Sequence, residues 1–226
     1  GDAAIEERAT MFDKSIGRDN RTDDEMMAEA LEIAKSSDVI IAAMGETAEF
    51  SGESASRTNL DIPDVQKTLL MELMKLGKPV VLVLFAGRPL TLNWEQANVP
   101  AILDVWFGGS EAGYSIPDVL FGDVNPSGKL TTTFPQNVGQ IPIYYNHKNT
   151  GRPLPEGKWF QKFRSNYLDV SNDPLYPFGY GLSYTTFEYG KLKVSSDKLK
   201  GAQTLTASIE VKNTGTGFAT GVNITD

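Results

Sequence analysis

Apolar and polar positions alternate between two textures over the first half of the chain. From Asp23 onward, Met26, Met27, Ala30, Leu31 and Ala34 recur at helical spacing. Thr22 or Asp23 can cap the start, and Asp24 and Glu25 complement the helix dipole. Residues 39–44 are then an unbroken apolar run ending at Gly45, the texture of a strand buried on both faces in a parallel sheet. The pattern repeats. Val65, Leu69, Leu70, Leu73, Met74 and Leu76 form a helical stripe after Pro63, stopped by Gly77. Residues 79–85 read as a second buried strand, and residues 87–90 turn into a third helix running to about Asn98. Residues 101–106 predict a third strand, and residues 108–113 a loop into a fourth helix ending near Phe121. Residues 128–134 predict a further strand, less hydrophobic and nearer an edge.

This αβ alternation predicts an α/β fold with a mainly parallel sheet and helices on both faces. Between Pro135 and Tyr184 helical periodicity stops, and prolines and aromatics dominate, predicting an ordered wrap over the sheet. From Phe187 the pattern changes to period two, around Leu192 and Val194 and again across residues 205–211. Antiparallel strands opening a β-sandwich are expected there. About 40 residues remain, short of the ~100 that such a domain needs, so the chain is expected to stop within it.

The 226 residues include 21 glycines and 12 prolines, consistent with a loop-rich surface. A net charge of −8 argues against nucleic acid and anionic membranes as partners, since both need a basic face. No apolar run approaches the ~18–20 residues of a membrane span. With no cysteine, thiolate metal sites and Cys nucleophiles are excluded. With His147 as the single histidine, multi-His metal sites are excluded too, and a Ser-His-Asp triad would have to use that residue.

Ligands of parallel sheets sit outside the carboxyl ends of the strands. Those ends lead into residues 45–59, 86–88 and 107–113. The first of these loops is long and holds Glu46, Glu49, Glu53 and Arg57 among several serines. A carboxyl at the mouth of a sheet is suited to general acid/base work, and an adjacent arginine can orient it or hold a polar ligand. The same spacing also fits a solvated acidic loop. Gly108-Gly109-Ser110-Glu111-Ala112-Gly113 lacks the Lys-Ser/Thr of a phosphate loop, which disfavours a nucleotide-binding domain; it reads as a tight strand-to-helix turn. His147 lies among Tyr144, Tyr145 and Asn146, where either a structural role or a sugar platform fits. Asn223-Ile224-Thr225 matches a glycosylation sequon by pattern.

Several ordered motifs together resemble the family 3 glycoside hydrolases. They are Gly45-Glu46, Gly52-Glu53 and Ser56-Arg57 before Leu60-Asp61-Ile62-Pro63, then Gly87-Arg88-Pro89-Leu90 and Trp106-Phe107-Gly108-Gly109-Ser110-Glu111-Ala112-Gly113. Leu120-Phe121-Gly122-Asp123 through Leu130, Tyr144 to Pro153, and Pro174 to Phe187 continue the series. The resemblance spans about Asp38 to Gly221 and is nearest to the bacterial periplasmic β-glucosidases.

The resemblance implies three domains. A (β/α)8 barrel carries an Asp nucleophile, a three-layer αβα sandwich with about six strands carries the acid/base Glu, and a fibronectin type III-like domain follows. Residues 1–22 then correspond to a linker from the barrel, 23–186 to the sandwich, and 187–226 to the start of the third domain. It also implies a retaining, exo-acting β-glucosidase that needs no metal or cofactor, acting on a β-glucoside or oligosaccharide in the periplasm or outside the cell. Within this chain it implies Glu53 as the acid/base, with Glu46 and Glu49 as competitors, and Arg57, Glu49 and His147 as substrate contacts. Without the barrel the chain alone is expected to be inactive. The alternatives are a β-xylosidase or β-N-acetylglucosaminidase of the same family, and a non-catalytic carbohydrate-binding or interaction module.

Overall fold

The computed structural model describes residues 21–47 and 50–216. These fall into two units. One contains the described chain up to Ser110 together with Leu130–Gly179; the other contains Glu111–Lys129 and the chain from Tyr180 onward. The expected linker at 1–22, apart from its last two residues, and the sequon at Asn223 lie outside the described residues, as does Glu49.

In the first unit, helix α1 (Asp23–Ser36) starts at Thr22, whose hydroxyl accepts from the Glu25 amide at 3.2 Å. The Glu25 carboxylate returns the bond to the Thr22 amide at 2.7 Å, closing a capping box. Strand β1 (Ile40–Gly45), helix α2 (Asp64–Met74), strand β2 (Val80–Phe85), helix α3 (Asn93–Asn98) and strand β3 (Ala101–Asp104) follow. The three strands are parallel in the order β1-β2-β3, with Ile40 opposite Val80 and Leu82 opposite Ile102.

Strand alternation puts Ile40, Ala42 and Met44 on the same face as Val80, Leu82 and Leu84. Ala34 of α1 and Leu70 and Leu73 of α2 pack with these residues in one core. Leu70, Leu82 and Leu84 are fully buried, each contributing roughly 2 kcal/mol of transfer energy. Phe134 closes this core between Trp106 and Tyr176, both in edge-on contact with its ring.

Three expectations are corrected. Strand β1 is buried on one face only: Ile41 is 47% exposed. Within the first unit the crossover helices α2 and α3 lie on one side of the sheet, with Leu70 and Leu73 in one core cluster and Trp94 packed against it. Two successive right-handed crossovers that advance in one direction across the sheet must fall on the same side. The Lys67–Glu95 ion pair joins α2 to α3 there. The third helix begins only at Asn93, because the amides ahead of it are already engaged: Gly87 donates to Glu46 and Thr91 to the Leu60 carbonyl. Finally, residues 128–134 do not extend the sheet, which has three strands among the described residues. Phe134 instead makes a single bridge with Tyr176, and Pro135 lacks the amide that a ladder would need.

In the second unit, helix α4 (Ala112–Leu120) is tied to the later chain by Asn125. Its side chain bonds the Ser183 hydroxyl at 2.9 Å and accepts from the Tyr184 amide at 2.8 Å. The Tyr184 hydroxyl donates to the Val119 carbonyl at 2.9 Å. The period-two segments form two short antiparallel pairs. Strand β4 (Phe187–Tyr189) pairs with β7 (Val211–Asn213), and β5 (Lys193–Val194) with β6 (Ala207–Ser208).

Candidate active-site loop

The long loop leaves β1 at Gly45. This residue has φ +134°, and a Cβ there would stand 1.8 Å from the Phe85 carbonyl oxygen, so only glycine fits. The Gln66 side chain accepts from the Gly45 amide at 2.7 Å and donates to its carbonyl at 3.1 Å, satisfying the open strand edge. The next residue, Glu46, donates its backbone amide to Phe85 at 2.7 Å, so its side chain starts from a fixed point at the sheet's carboxyl end.

The Glu46 carboxylate is completely buried, held between two guanidinium groups. Oε1 accepts from Arg57 Nη1 at 2.6 Å and lies 3.2 Å from Arg88 Nε, an ion-pair contact too bent to be a hydrogen bond. Oε2 accepts from the Gly87 amide at 3.2 Å. Arg57 also donates to the Asp61 carbonyl at 3.3 Å, and its guanidinium lies 4.5 Å above the Phe50 ring. Glu46 therefore welds the loops after β1 and β2 together. Its carboxylate is committed to this network and closed to solvent.

Glu53 has the opposite environment. It lies on the turn that follows Phe50 and is exposed. The same turn is seated on the second loop at Gly87, where a Cβ would stand 2.1 Å from Ser51 Oγ and 2.9 Å from Phe107 Cε2. His147 belongs to a separate exposed turn, with Nδ1 3.2 Å from the Tyr144 carbonyl. Its neighbours are aromatic: Tyr145 stacks on Phe178 with centroids 4.5 Å apart, and Tyr144 is also exposed. The structure thus brings Glu46 and Arg57 together and leaves Glu53 presented to solvent. It adds Arg88, which the sequence marks only as part of a loop at a strand's carboxyl end. The only sequence signal for Arg88 is its place in Gly87-Arg88-Pro89-Leu90, in the loop after β2.

At the end of β3, burial pushes the Asp104 carboxyl up to about 6, only partly offset by a hydrogen bond from the Trp106 amide. One of its oxygens is buried without a partner. A raised folded pKa means that the native state binds more protons than the unfolded chain between about pH 4 and 6. The contribution of Asp104 to stability is then largest below that window and is lost as pH rises through it. Asp104→Asn is expected to flatten the fall and to raise stability at pH 7.5 by roughly 1–2 kcal/mol, discounted for partial exposure. Urea titrations of both proteins at pH 4.5 and 7.5 check this.

Residues 3–184 match the family described as the glycosyl hydrolase family 3 C-terminal domain. The chain is 48% identical over 214 residues to the periplasmic β-glucosidase of Salmonella typhimurium, covering 95% of this chain and 28% of that protein. It is 43% identical over 187 residues to a β-xylosidase of Formosa agariphila, covering 83% of this chain and 25% of that one. Among solved structures it resembles the β-glucosidase of Listeria innocua in complex with isofagomine, with a TM-score of 0.77 at 42% identity. That likeness covers 85% of this chain and 27% of the other. The chain therefore spans about a quarter of the length of the relatives it matches. With the family match extending over most of its residues, the chain belongs to the C-terminal domain family of the family 3 glycosyl hydrolases.

Proposed function

We propose that this chain is part of a longer retaining β-glucosidase and contributes its general acid/base, Glu53. The observation that carries this reading is the contrast within one loop. Glu46 is consumed in a buried ion-pair network, while Glu53 is held out to solvent on a turn that the network seats. A retaining glycosidase needs two carboxyls about 5–5.5 Å apart. One attacks the anomeric carbon as the other protonates the departing oxygen; the second then deprotonates water to release the sugar. The nucleophile is assigned to an Asp on a (β/α)8 barrel outside this chain, so the chain alone is inactive.

Arg57, Glu49 and His147 are the proposed substrate contacts. Two of the five guanidinium donors of Arg57 go to Glu46 and Asp61. Residues 23–186 are assigned to the sandwich domain, and 187–226 to the start of a fibronectin type III-like domain. The exposed Ile41 of β1 supports a sheet completed, toward six strands and a second helical layer, by chain outside the described residues. The location is inferred as periplasmic or extracellular.

The test uses the longer protein and this chain separately on 4-nitrophenyl β-glucoside and β-xyloside. Hydrolysis by the longer protein with β-glucose as the first-formed anomer, none by this chain, and recovery on adding a separately expressed barrel support the proposal. Preference for the xyloside would follow the Formosa relative instead. Sugar binding without hydrolysis by the longer protein would favour a carbohydrate-binding module, a reading supported by the exposed Tyr144, Tyr145 and Trp159.

A further inference from the structure

We propose that Arg88 is a positioning residue that pins both ends of the turn carrying Glu53; this rests on the assignment of Glu53 above. Arg88 Nη2 donates to the Phe50 carbonyl and to the Ala55 carbonyl, the latter at 3.0 Å. These two carbonyls lie three residues before Glu53 and two after it. On its other edge, Nε faces Glu46 Oε1 at 3.2 Å. The Arg88 side chain is 22% exposed, and the chain leading to it from β2 passes through the fully buried Ala86.

The physical consequence comes from the fork. Surface turns ordinarily leave their carbonyls to water, which fixes nothing. Here two carbonyls of one turn converge on a single nitrogen, and that nitrogen is rigidly coplanar with an Nε in ion-pair contact with a buried carboxylate. The turn's closure is thereby referenced to the carboxyl ends of β1 and β2. A lysine would keep the charge opposite Glu46 but lose the planar fork. Arg88 touches the backbone of the turn, so it acts through Glu53's placement and not on the sugar.

A misplaced acid has a recognisable kinetic signature. Departure of a good leaving group needs no proton, whereas departure of a poor one does. The experiment therefore measures kcat/KM of the longer protein on 2,4-dinitrophenyl, 4-nitrophenyl and phenyl β-glucosides. It compares wild type, Arg88→Met, Arg88→Lys and Glu53→Ala. Arg88→Met is expected to lose about 10–100-fold on the phenyl glucoside and less than about threefold on the dinitrophenyl glucoside. Arg88→Lys should show the same order of losses across the three substrates with a shallower dependence on leaving group, and it stands in should the Met variant fail to fold.

A uniform loss across the three substrates, or no loss, in both Arg88 variants while Glu53→Ala keeps its leaving-group dependence would overturn the positioning role alone. If Glu53→Ala itself shows no such dependence, the assignment of Glu53 falls and this inference with it.

Discussion

Glu53→Ala in the longer protein is expected to lower kcat/KM for poor leaving groups about 100–10,000-fold, the usual contribution of a positioned acid or base. Activated aryl glucosides should lose far less in the first step, because their phenolates depart without a proton. They should then accumulate a glycosyl-enzyme, since water now lacks its base, and show a burst followed by slow turnover. Glu46→Ala offers no such pattern, because Glu46 has no route to solvent. A loss in Glu46 variants that tracked leaving-group ability more steeply than in Glu53→Ala would reverse the two assignments.

Glu46→Ala is expected instead to be costly to the fold. Its carboxylate is fully buried, and the side chains of its partners Arg57 and Arg88 are only 17% and 22% exposed. Removing it leaves two like charges facing each other across a dry gap, and strands the Gly87 amide as well. Losing one member of a buried pair costs about 3–5 kcal/mol, several times a surface pair. Glu46→Gln, which keeps the shape and an acceptor oxygen, should cost less. Urea unfolding of this chain, followed through Trp94 and Trp106 beside the core, reads the difference. A loss under about 1 kcal/mol for the alanine variant would place Glu46 among ordinary surface pairs and contradict its structural role.

The parallel strands and the helices α1 and α2 were legible because their signals are local. Thr22 and Glu25 form a cap within four residues, and Leu31 and Ala34 of α1 meet the core at helical spacing. The miscounted strand at 128–134 was not legible. Its pattern suits a strand, and only the tertiary partner, Tyr176, decides that it makes one bridge. The one-sided burial of β1 likewise depends on strand order, which no single segment encodes. Val65 fits the helical stripe of α2 by spacing but is exposed, since it lies in the first turn away from the contact made by Leu70 and Leu73.

At the site, residue types were legible and roles were not. Three glutamates in one loop look equivalent in sequence. What separates Glu46 from Glu53 is the pair of arginines, one of them more than 40 residues away along the chain. The spacing could not show that Arg88 returns from the second strand to meet the first.

The most direct measurement is the product formed by Glu53→Ala from 2,4-dinitrophenyl β-glucoside in sodium azide, with its anomeric configuration read by NMR. Azide needs no general base and attacks the glycosyl-enzyme from the face that water would use. Accelerated turnover yielding β-glucosyl azide is the predicted result. Unchanged activity without azide product, or α-glucosyl azide as from a lost nucleophile, would contradict the assignment of Glu53.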